Sequence, residues 1–327
     1  MDEYRGQKVL ITGGLGFIGS NLAIRLVQTG ASVTILDSFD PTCGANYFNI
    51  EPIRNDVEMV EGDSCDLALV RGLVRGKGFI FNLAGHVSHI ESMEDPFADL
   101  QMNVVAPLTV LEASKHENRE ARIVYSGTRQ AYGRPESLPL LETQVLKPID
   151  VNGVNKLAGE WYHMVYYRAH GIRTISLRLV NTYGPRQLVK HAKQGFVGWF
   201  IKQAMVGAEI QVFGDGQQLR GFNYVDDVVD ALLIAGANDS ILGDYFNLGG
   251  ADPIPLETFV KVLLSITGRG SYRIVPFPAE RRAIDIGSVY TSFAKFNSAT
   301  GWMPRVSLEE GLARTVDYYQ RYQAHYW

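Results

Sequence analysis

The sequence predicts an α/β protein built on a doubly wound parallel sheet, with a smaller α/β region in its second half. Apolar, strand-like segments alternate with helical segments from the first residues onward, and this alternation is typical of parallel sheets. A glycine-rich turn joins the first strand directly to the first helix. The chain has 327 residues, of which 46% are hydrophobic and 20% charged, so it can bury a large core.

The elements of the first half can be assigned in order along the chain. Lys8–Thr12 is a short apolar strand, a helix over Phe17–Gln28 follows it, and residues 31–36 are strand-like again, which makes a β-α-β unit. A helix over Leu308–Tyr322 closes the chain. The remaining strand candidates of the sheet lie at 57–60, 79–83, 122–125 and Thr174–Leu179.

The first half of the chain contains two long helices, and the pattern of elements changes after them. The helices are expected over residues 97–116 and 151–169, and both are long enough to form an interface between subunits. After Gly184-Pro185 the segments become shorter and turns more frequent. We therefore expect residues 1–185 to form the main domain, which some later segments rejoin, and residues 186–327 to form a smaller substrate-binding domain.

Charge and cysteine content narrow the class of partner. Lys and Arg number 31 against 35 Asp and Glu, so the net charge is −4, and like charges do not cluster. Because nucleic-acid and anionic membrane surfaces are bound by basic patches, we expect neither as a partner. Cys43 and Cys65 lack the spacing of a zinc site or a disulfide framework, so we expect no metal and a reducing, cytoplasmic location.

The turn after the first strand reads Gly13-Gly14-Leu15-Gly16-Phe17-Ile18-Gly19 and fits the dinucleotide-binding pattern GxGxxG. Glycine allows a tight turn and close approach of the backbone to a pyrophosphate at the positive end of the next helix. Asp37 ends the second strand, where a carboxylate can accept hydrogen bonds from ribose hydroxyls, and it would repel the 2′-phosphate of NADP. The pattern therefore predicts a Rossmann-type domain that binds NAD through Gly13, Gly16, Phe17, Ile18, Gly19 and Asp37.

Two residues after the third strand have an open role. Asp63 and Ser64 could contact the adenine end of the cofactor. Asp63 could instead cap a helix that starts near Asp66, because aspartate is a favoured N-cap residue. The sequence favours neither interpretation.

These motifs resemble those of the extended short-chain dehydrogenase/reductases, especially the nucleotide-sugar epimerase and dehydratase branch. The similarity continues in order through the first half, at Asn82-Leu83-Ala84-Gly85, Asn103, Tyr125-Ser126-Gly127-Thr128, Tyr132-Gly133 and Asn181-Thr182-Tyr183-Gly184-Pro185. In the second half it continues at Gly214-Asp215-Gly216 to Arg220, Tyr224-Val225-Asp226-Asp227-Val228, Asn247-Leu248-Gly249 and Gly301-Trp302. The resemblance therefore covers nearly the whole chain.

The resemblance implies a tightly bound NAD, a nucleoside-diphosphate sugar as substrate, and chemistry that begins with hydride transfer from a sugar carbon. It also implies a homodimer formed through the helices over 97–116 and 151–169. The further cofactor contacts that it implies are Leu83, Ala84, Gly85, Asn103, Ser126 and Lys156. The substrate contacts that it implies are Asn181, Arg220 and Arg282.

The chain departs from the family at the residue that handles the hydroxyl proton. In the family, a Tyr and a Lys four residues apart on a helix act with a Ser or Thr at the preceding strand end. Lys156 and Thr128 match this pattern, but Asn152 stands in place of the Tyr, and an amide cannot take up a proton at neutral pH. General acid–base catalysis contributes about 10²- to 10⁴-fold, so another group acts or the oxidation step is slow or absent.

His86 and His89 are the best-placed substitutes, because they lie in the loop after the fourth strand and histidine titrates near neutral pH. Lys156 could act as a base if burial lowered its pKa, although the resemblance gives it the nicotinamide ribose instead. Weaker candidates are Tyr125, Asp150 and His163.

The residues after Thr128 limit the reaction type. Dehydratases of the family resemble one another in having Asp-Glu there, whereas this chain has Arg129-Gln130. We expect Arg129 to be a surface or helix-facing residue without a catalytic role. An epimerase that works through a transient keto-sugar is therefore the leading hypothesis. The alternatives are a protein that binds NAD and a nucleotide sugar without turnover, and a nucleotide-sugar dehydratase or oxidoreductase.

Overall fold

The computed structural model describes residues 2–192, 195–250, 252–278 and 285–327. Its strands are β1 (Lys8–Thr12), β2 (Ser32–Asp37), β3 (Val57–Glu61), β4 (Phe79–Asn82), β5 (Arg122–Thr128), β6 (Thr174–Leu179), β7 (Asn181–Tyr183), β8 (Glu209–Phe213), β9 (Leu219–Arg220), β10 (Phe222–Tyr224), β11 (Tyr245–Asn247), β12 (Ile254–Pro255) and β13 (Ser271–Val275). Its helices are α1 (Phe17–Gln28), α2 (Leu67–Val74), α3 (His89–Glu94), α4 (Pro96–Leu100), α5 (Ala106–Glu117), α6 (Val151–His170), α7 (Phe196–Met205), α8 (Val225–Ala237), α9 (Leu256–Thr267), α10 (Ala294–Thr300) and α11 (Leu308–Tyr322).

Seven strands form one parallel sheet in the order β3-β2-β1-β4-β5-β6-β11. The order changes direction between β1 and β4, and ligands of doubly wound sheets bind outside the carboxyl ends of the strands at such a switch point. This arrangement confirms the expected Rossmann-type fold. The strand boundaries differ from the expected ones by up to three residues, the largest difference being the continuation of β5 to Thr128.

The central strands are buried on both faces, which explains why they are apolar throughout rather than alternating. In β1, Val9 and Ile11 belong to a core cluster that includes residues of α1 and α8. Leu10, on the opposite face, belongs to a second cluster with residues of α2 and α5. The sheet is therefore enclosed between two layers of helices. Ligands can approach it at the ends of its strands.

Two helical segments carry several of the expected site residues, namely Asn103, Asn152 and Lys156. The expected helix over 97–116 is present as α4, α5 and a π-helical turn, Gln101–Val105, that joins them. Turns of this kind inside α-helices occur frequently at functional sites. The expected helix over 151–169 is α6, which begins after its cap Asp150 and ends at Gly171, whose φ of +70° is left-handed and favours glycine.

The second half of the chain adds small paired strands around the cleft. β8 pairs in parallel with β13, β9 pairs antiparallel with β12, and β10 pairs in parallel with β7. β11 instead returns to the main sheet beside β6. The closing helix α11 has the bounds expected from the sequence. None of the helices in the described ranges is long and apolar enough to cross a membrane.

Candidate active site

A cleft of about 990 Å³ lies at the carboxyl ends of the central strands. It is lined by the glycine turn after β1, the end of β2, the loop after β4, the end of β5 and the start of α6. Residues from the second half of the chain form its other wall, among them Arg220 and Phe277. The cleft therefore combines the residues expected to bind the cofactor with those expected to bind the substrate.

The glycine turn is shaped for close contact between backbone and ligand. Gly13 has a φ of +73°, and a side chain there would place its Cβ 2.9 Å from the Ala84 Cα. A Cβ at Gly19 would overlap the Gly13 carbonyl oxygen. The N-cap of α1, Gly16, has no side-chain cap, so the first N–H groups of this helix are available to an anion, and Phe17 and Ile18 line the cleft beside them. These residues fit the pyrophosphate of a dinucleotide.

Asp37 holds the glycine turn as well as facing the cleft. Its Oδ2 accepts a hydrogen bond from the Leu15 backbone N–H at 2.9 Å, and its Oδ1 accepts from the Phe39 N–H at 3.0 Å. Burial raises the pKa of this carboxyl, and the two backbone hydrogen bonds oppose the rise. Each carboxylate oxygen retains a lone pair for a ribose hydroxyl, as the sequence predicts.

The segment after β3 separates the two roles that the sequence leaves open. Asp63 accepts a hydrogen bond from the Cys65 N–H at 2.8 Å, whereas Asp66 caps α2 by accepting from Ala68 and Leu69. The interpretation of Asp63 as the helix cap is therefore wrong. Ser64 is buried and lines the cleft, and Asp63 lies next to it in the chain without being among the lining residues.

Lys156 is a buried cation at the inner end of the cleft. Its side chain is only 5% exposed, and its Nζ donates to the Ser126 carbonyl at 3.2 Å. Burial lowers the pKa of this ammonium to about 8, and the charge of Asp99 opposes the change. A Cβ on Gly85 would lie 2.8 Å from the Lys156 Nζ and 2.6 Å from the Asn103 Oδ1, so only glycine leaves this space open.

Asn103 presents a polar atom with no partner to the same region. The π-helical turn carries this residue, whose Nδ2 donates to the His86 carbonyl at 3.1 Å. Its Oδ1 is buried and has no hydrogen-bond partner in the described ranges. The adjacent loop is held by Thr12, whose Oγ1 accepts from the N–H groups of Leu83 at 3.1 Å and Ala84 at 3.2 Å. An unpaired acceptor beside an open glycine and a buried ammonium fits a polar cofactor.

Asn152, in the position expected for tyrosine, fixes the architecture of the site. It is 1% exposed, and its Nδ2 donates to the His86 carbonyl at 2.8 Å and to Asp99 Oδ2 at 2.9 Å. Asp99 Oδ1 accepts in turn from Asn155 Nδ2 at 2.8 Å. Both amide hydrogens of Asn152 are thus used, and the side chain holds the loop after β4 against α6 rather than exchanging protons.

His89 forms the feature of the cleft best suited to moving a proton. Its Nδ1 lies 2.6 Å from Asp150 Oδ2, and its Nε2 contacts the Gln130 side-chain amide. Because an ionised carboxylate only accepts hydrogen bonds, Nδ1 carries the proton and Nε2 accepts from the Gln130 NH₂ group. The His89 side chain is 36% exposed and lines the cleft. His86 also lines the cleft, but its observed role is to offer its backbone carbonyl to two asparagines.

Asp150 is itself anchored at the start of α6. Its Oδ1 accepts from the Gly153 N–H at 2.7 Å, which makes it the helix cap as well as the partner of His89. Burial raises the pKa of Asp150, but the hydrogen bond and charge of His89 and the Gly153 N–H lower it more, so the net pKa lies below the usual value. The carboxyl is therefore ionised at neutral pH.

Two of the weaker candidates lie behind the cleft. His163 is fully buried, its Nδ1 lies 2.7 Å from the Gly159 carbonyl oxygen, and burial lowers its pKa to about 4. It stacks on Tyr125 at 4.4 Å between ring centroids, and burial raises the pKa of that phenol. Neither residue lines the cleft, so neither can exchange a proton with a substrate there. Thr128, by contrast, lines the cleft at the end of β5.

Arg129 overturns the expectation of a surface or helix-facing residue. It is 9% exposed and lines the cleft, and its Nη2 donates to Asn181 Oδ1 at 3.1 Å while its Nη1 has no partner in the described ranges. Burial and the positive charge of Arg220 lower the pKa of this guanidinium to about 9. The sequence gives no signal of this burial, because the partner Asn181 comes from β7, a distant segment of the chain.

Of the three expected substrate residues, the structure describes Asn181 and Arg220. Asn181 Nδ2 donates to the Gly221 carbonyl at 3.0 Å, and Arg220 Nη1 donates to the carbonyls of Leu219 at 3.0 Å and Gly287 at 2.5 Å. Both residues line the cleft. Arg282 lies outside the described residues. Among the residues that are described, no group of three His, Cys, Asp or Glu side chains could hold a metal ion.

Comparison with known proteins gives consistent matches over nearly the whole chain. A family model described as "NAD dependent epimerase/dehydratase family" matches residues 9–249. A UDP-glucose 4-epimerase of Mycolicibacterium smegmatis is 31% identical over 96% of this chain and 98% of its own length. UDP-glucuronic acid decarboxylase 1 of Xenopus tropicalis is 30% identical over 99% of this chain and 75% of its own. The crystal structure of a UDP-glucose 4-epimerase with UDP-glucose from Thermotoga maritima superposes with a TM-score of 0.86, at 29% identity over 97% of this chain and 99% of that one.

Proposed function

The chain belongs to the NAD-dependent epimerase/dehydratase family, and on that premise we propose that it epimerises a nucleoside-diphosphate sugar with His89 as the proton-transfer group. Family membership makes it an NAD-dependent enzyme of nucleotide-sugar chemistry. The single observation that carries the proposal is the Asp150–His89–Gln130 chain in the cleft, beside an asparagine where the family has its tyrosine.

The cofactor residues on this chain divide the cleft into two ends. The glycine turn and Asp37 would hold the pyrophosphate and the adenosine ribose, and Lys156, Ser126 and Asn103 would hold the nicotinamide half. NAD supplies a reversible hydride acceptor for a sugar carbon. With a pKa of about 8, Lys156 is mostly charged at neutral pH, so its role is to place a positive charge at this end rather than to take up a proton.

His89 supplies the base that Asn152 cannot. When a sugar hydroxyl replaces the Gln130 amide at Nε2, the Nε2 lone pair takes the hydroxyl proton as the carbon bearing that hydroxyl is oxidised. Asp150 stabilises the imidazolium that forms. Thr128, which lines the cleft at the end of β5, would hydrogen-bond the same hydroxyl through its Oγ1. The proton returns from His89 when the keto-sugar is reduced from its other face. No net oxidation results, so the cofactor is regenerated within one cycle.

The reaction class is epimerisation rather than dehydration. Elimination of water from the keto-sugar needs an acid and a base next to Thr128, and this chain has the cation Arg129 and the amide Gln130 there. Gln130 is engaged with His89, so it serves to orient the imidazole. The similarity to a UDP-glucose 4-epimerase over almost the full length of both chains supports the same choice.

An NMR time course in heavy water tests the proposal. The protein with NAD is incubated with UDP-, dTDP-, CDP- and GDP-hexoses and with the corresponding hexuronic acids. A new sugar without deuterium indicates that the hydride returns to the oxidised carbon. Deuterium uptake instead indicates enolisation beside a ketone. Binding without any product in the panel favours the alternative of a protein that binds both ligands without turnover.

Variants then assign the base. His89→Gln should lower turnover by about 10²- to 10⁴-fold without changing NAD affinity. His116→Gln is the matched control, because His116 is half-exposed on α5 and is not among the residues lining the cleft. Wild-type turnover in the His89 variant would exclude this base. Turnover that appears only after Asn152→Tyr would equally contradict it.

We also propose a homodimer through α6 and the helical segment that contains α4. Exposed apolar side chains lie on both, namely Val154, Trp161, Val165, Phe97 and Leu100. The three on α6 recur at seven and four residues, so they share one face of that helix. Sedimentation should show a dimer that Trp161→Glu dissociates, and a wild-type monomer would contradict it.

The two free cysteines, Cys43 and Cys65, support a reducing cytoplasmic location, which cell fractionation can test.

A further inference from the structure

Among the residues that the structure describes, the buried cation Arg129 has no anionic partner. One of its terminal nitrogens, Nη2, donates to the neutral amide oxygen of Asn181 at 3.1 Å, and the other, Nη1, is buried and unpaired. No carboxylate in the described ranges lies within ion-pair distance of this guanidinium. The acid whose charge acts on it, Asp150, is already paired with His89. A buried charge left unpaired costs free energy, so the site suits an anion that the described residues do not supply.

The position of Arg129 indicates which part of the substrate carries that anion. It lies in the short helix Arg129–Tyr132 directly after β5, between Thr128 and Gln130. Both neighbours belong to the proton-transfer end of the cleft, because Gln130 contacts His89. The reacting sugar lies at this end under the proposed function. Arg220 reaches the cleft from β9, and the charges of the two guanidiniums repel each other.

We propose that Arg129, together with Asn181, forms a subsite for a carboxylate on the sugar, so that the substrate is a nucleoside-diphosphate uronic acid. This inference rests on the proposed function. A neutral hexose offers no charge to a buried guanidinium, whereas a carboxylate matches its planar pair of N–H donors. The match over 99% of this chain with a relative named for a nucleotide-linked glucuronic acid supports a sugar of this class.

Binding of a matched pair of ligands tests the subsite without requiring turnover. Calorimetry on the full chain with NAD first identifies the base from UDP, dTDP, CDP and GDP. The glucose and glucuronic acid conjugates of that nucleoside diphosphate are then compared, because they differ only in a hydroxymethyl group against a carboxylate. The wild type should bind the glucuronic acid conjugate about 10- to 100-fold more tightly, as expected for hydrogen bonds to a charged group.

Arg129→Gln should bring this ratio close to one and leave the affinity for the nucleoside diphosphate alone unchanged. Arg119→Gln is the control, because Arg119 is exposed beyond the end of α5 and bonds only to a backbone carbonyl. If Arg129→Gln fails to fold, Arg129→Lys gives the same comparison: a lower ratio supports the subsite and an unchanged ratio overturns it. Thermal unfolding of the ligand-free glutamine variant should be no lower than that of the wild type, since a charge without a partner is removed.

Two results would overturn the subsite. Equal wild-type affinity for the two conjugates would show that no carboxylate is recognised. A loss of affinity for the nucleoside diphosphate as large as the loss for both conjugates would assign Arg129 to the diphosphate instead. The proposed function fails separately: a preference for the glucuronic acid conjugate without any turnover would leave the subsite standing and contradict the epimerase.

Discussion

Replacing Asp150 with asparagine should abolish proton transfer while keeping the fold. In the wild type, the Asp150 carboxylate accepts from Gly153 N–H through Oδ1 and from His89 Nδ1 through Oδ2. Asparagine has one carbonyl oxygen, which can retain the helix cap, but its NH₂ group would then face His89. The imidazole would have to accept at Nδ1 and carry its proton on Nε2. That tautomer cannot take a proton from a sugar hydroxyl.

The magnitude of the effect follows from the two separate roles of this carboxylate. Loss of the proton-transfer role should lower turnover by about 10²- to 10⁴-fold, the usual contribution of general acid–base catalysis. The cap role is retained, because asparagine and aspartate are equally good N-caps. Asp150→Ala removes both roles and should additionally lower the free energy of unfolding by about 0.5–2 kcal/mol.

The assay compares turnover with stability for the two variants. Turnover is measured on the sugar that the NMR panel identifies, and the free energy of unfolding is measured by urea titration. We expect both variants to lose turnover and only Asp150→Ala to lose the cap contribution. Turnover in Asp150→Asn within a factor of about three of the wild type, well short of the expected loss, would refute the assignment of His89 as the base.

Two further predictions concern the cofactor end of the cleft. In protein freed of NAD, Lys156→Met should raise the free energy of unfolding at pH 7 by up to about 3 kcal/mol, because the folded pKa is about 8 instead of 10.5 and each unit corresponds to about 1.4 kcal/mol. Between about pH 8 and 10.5, Lys156 is protonated in the unfolded chain but largely neutral in the folded one, so the free energy of unfolding of the wild type should rise with pH. Urea titrations across this range should show that rise in the wild type and not in the variant. Gly19→Ala should abolish NAD binding measured by fluorescence, because its Cβ would overlap the Gly13 carbonyl oxygen. Gly72→Ala is the control: no atom lies within 4 Å of its added Cβ, so this variant should bind NAD normally. Equal NAD affinity in both glycine variants would contradict the assignment of the glycine turn to the pyrophosphate.

The central fold could be predicted because its signals are local. The strands of a parallel sheet are buried on both faces and appear as short apolar runs, as β1 and β4 do. Strands of two or three residues, such as β9, β11 and β12, carry no periodicity of their own, so their pairing is decided by tertiary contacts. The π-helical turn before α5 also escapes prediction, because its hydrogen-bond pattern leaves no distinct spacing of apolar residues.

The sequence could nominate most residues of the site one by one, Arg129 excepted, but it could not predict their partners. The sequence identifies His89 as a candidate base and Asp150 as a weaker one, yet these residues are 61 positions apart and only the fold pairs them. Arg129 is likewise paired by the fold with Asn181, at the start of β7 and 52 positions away. Local patterns therefore predict which residue types the chemistry needs, whereas charge pairing and desolvation are set by contacts between distant segments.

The distribution of buried charge in the cleft indicates where each ligand group belongs. Lys156 and Arg129 are buried cations, Arg220 is partly buried, and all three bond to neutral oxygens. No carboxylate of the described ranges lies within ion-pair distance of any of them. The nearby acids are engaged elsewhere, Asp99 with two asparagines and Asp150 with His89. Each unpaired cation makes the ligand-free fold less stable than an apolar residue would, and that deficit is removed when an anionic or polar ligand group reaches it. These unpaired cations do not stabilise the ligand-free fold. The three cations are therefore best explained by the charges and polar groups of the molecules that enter the cleft.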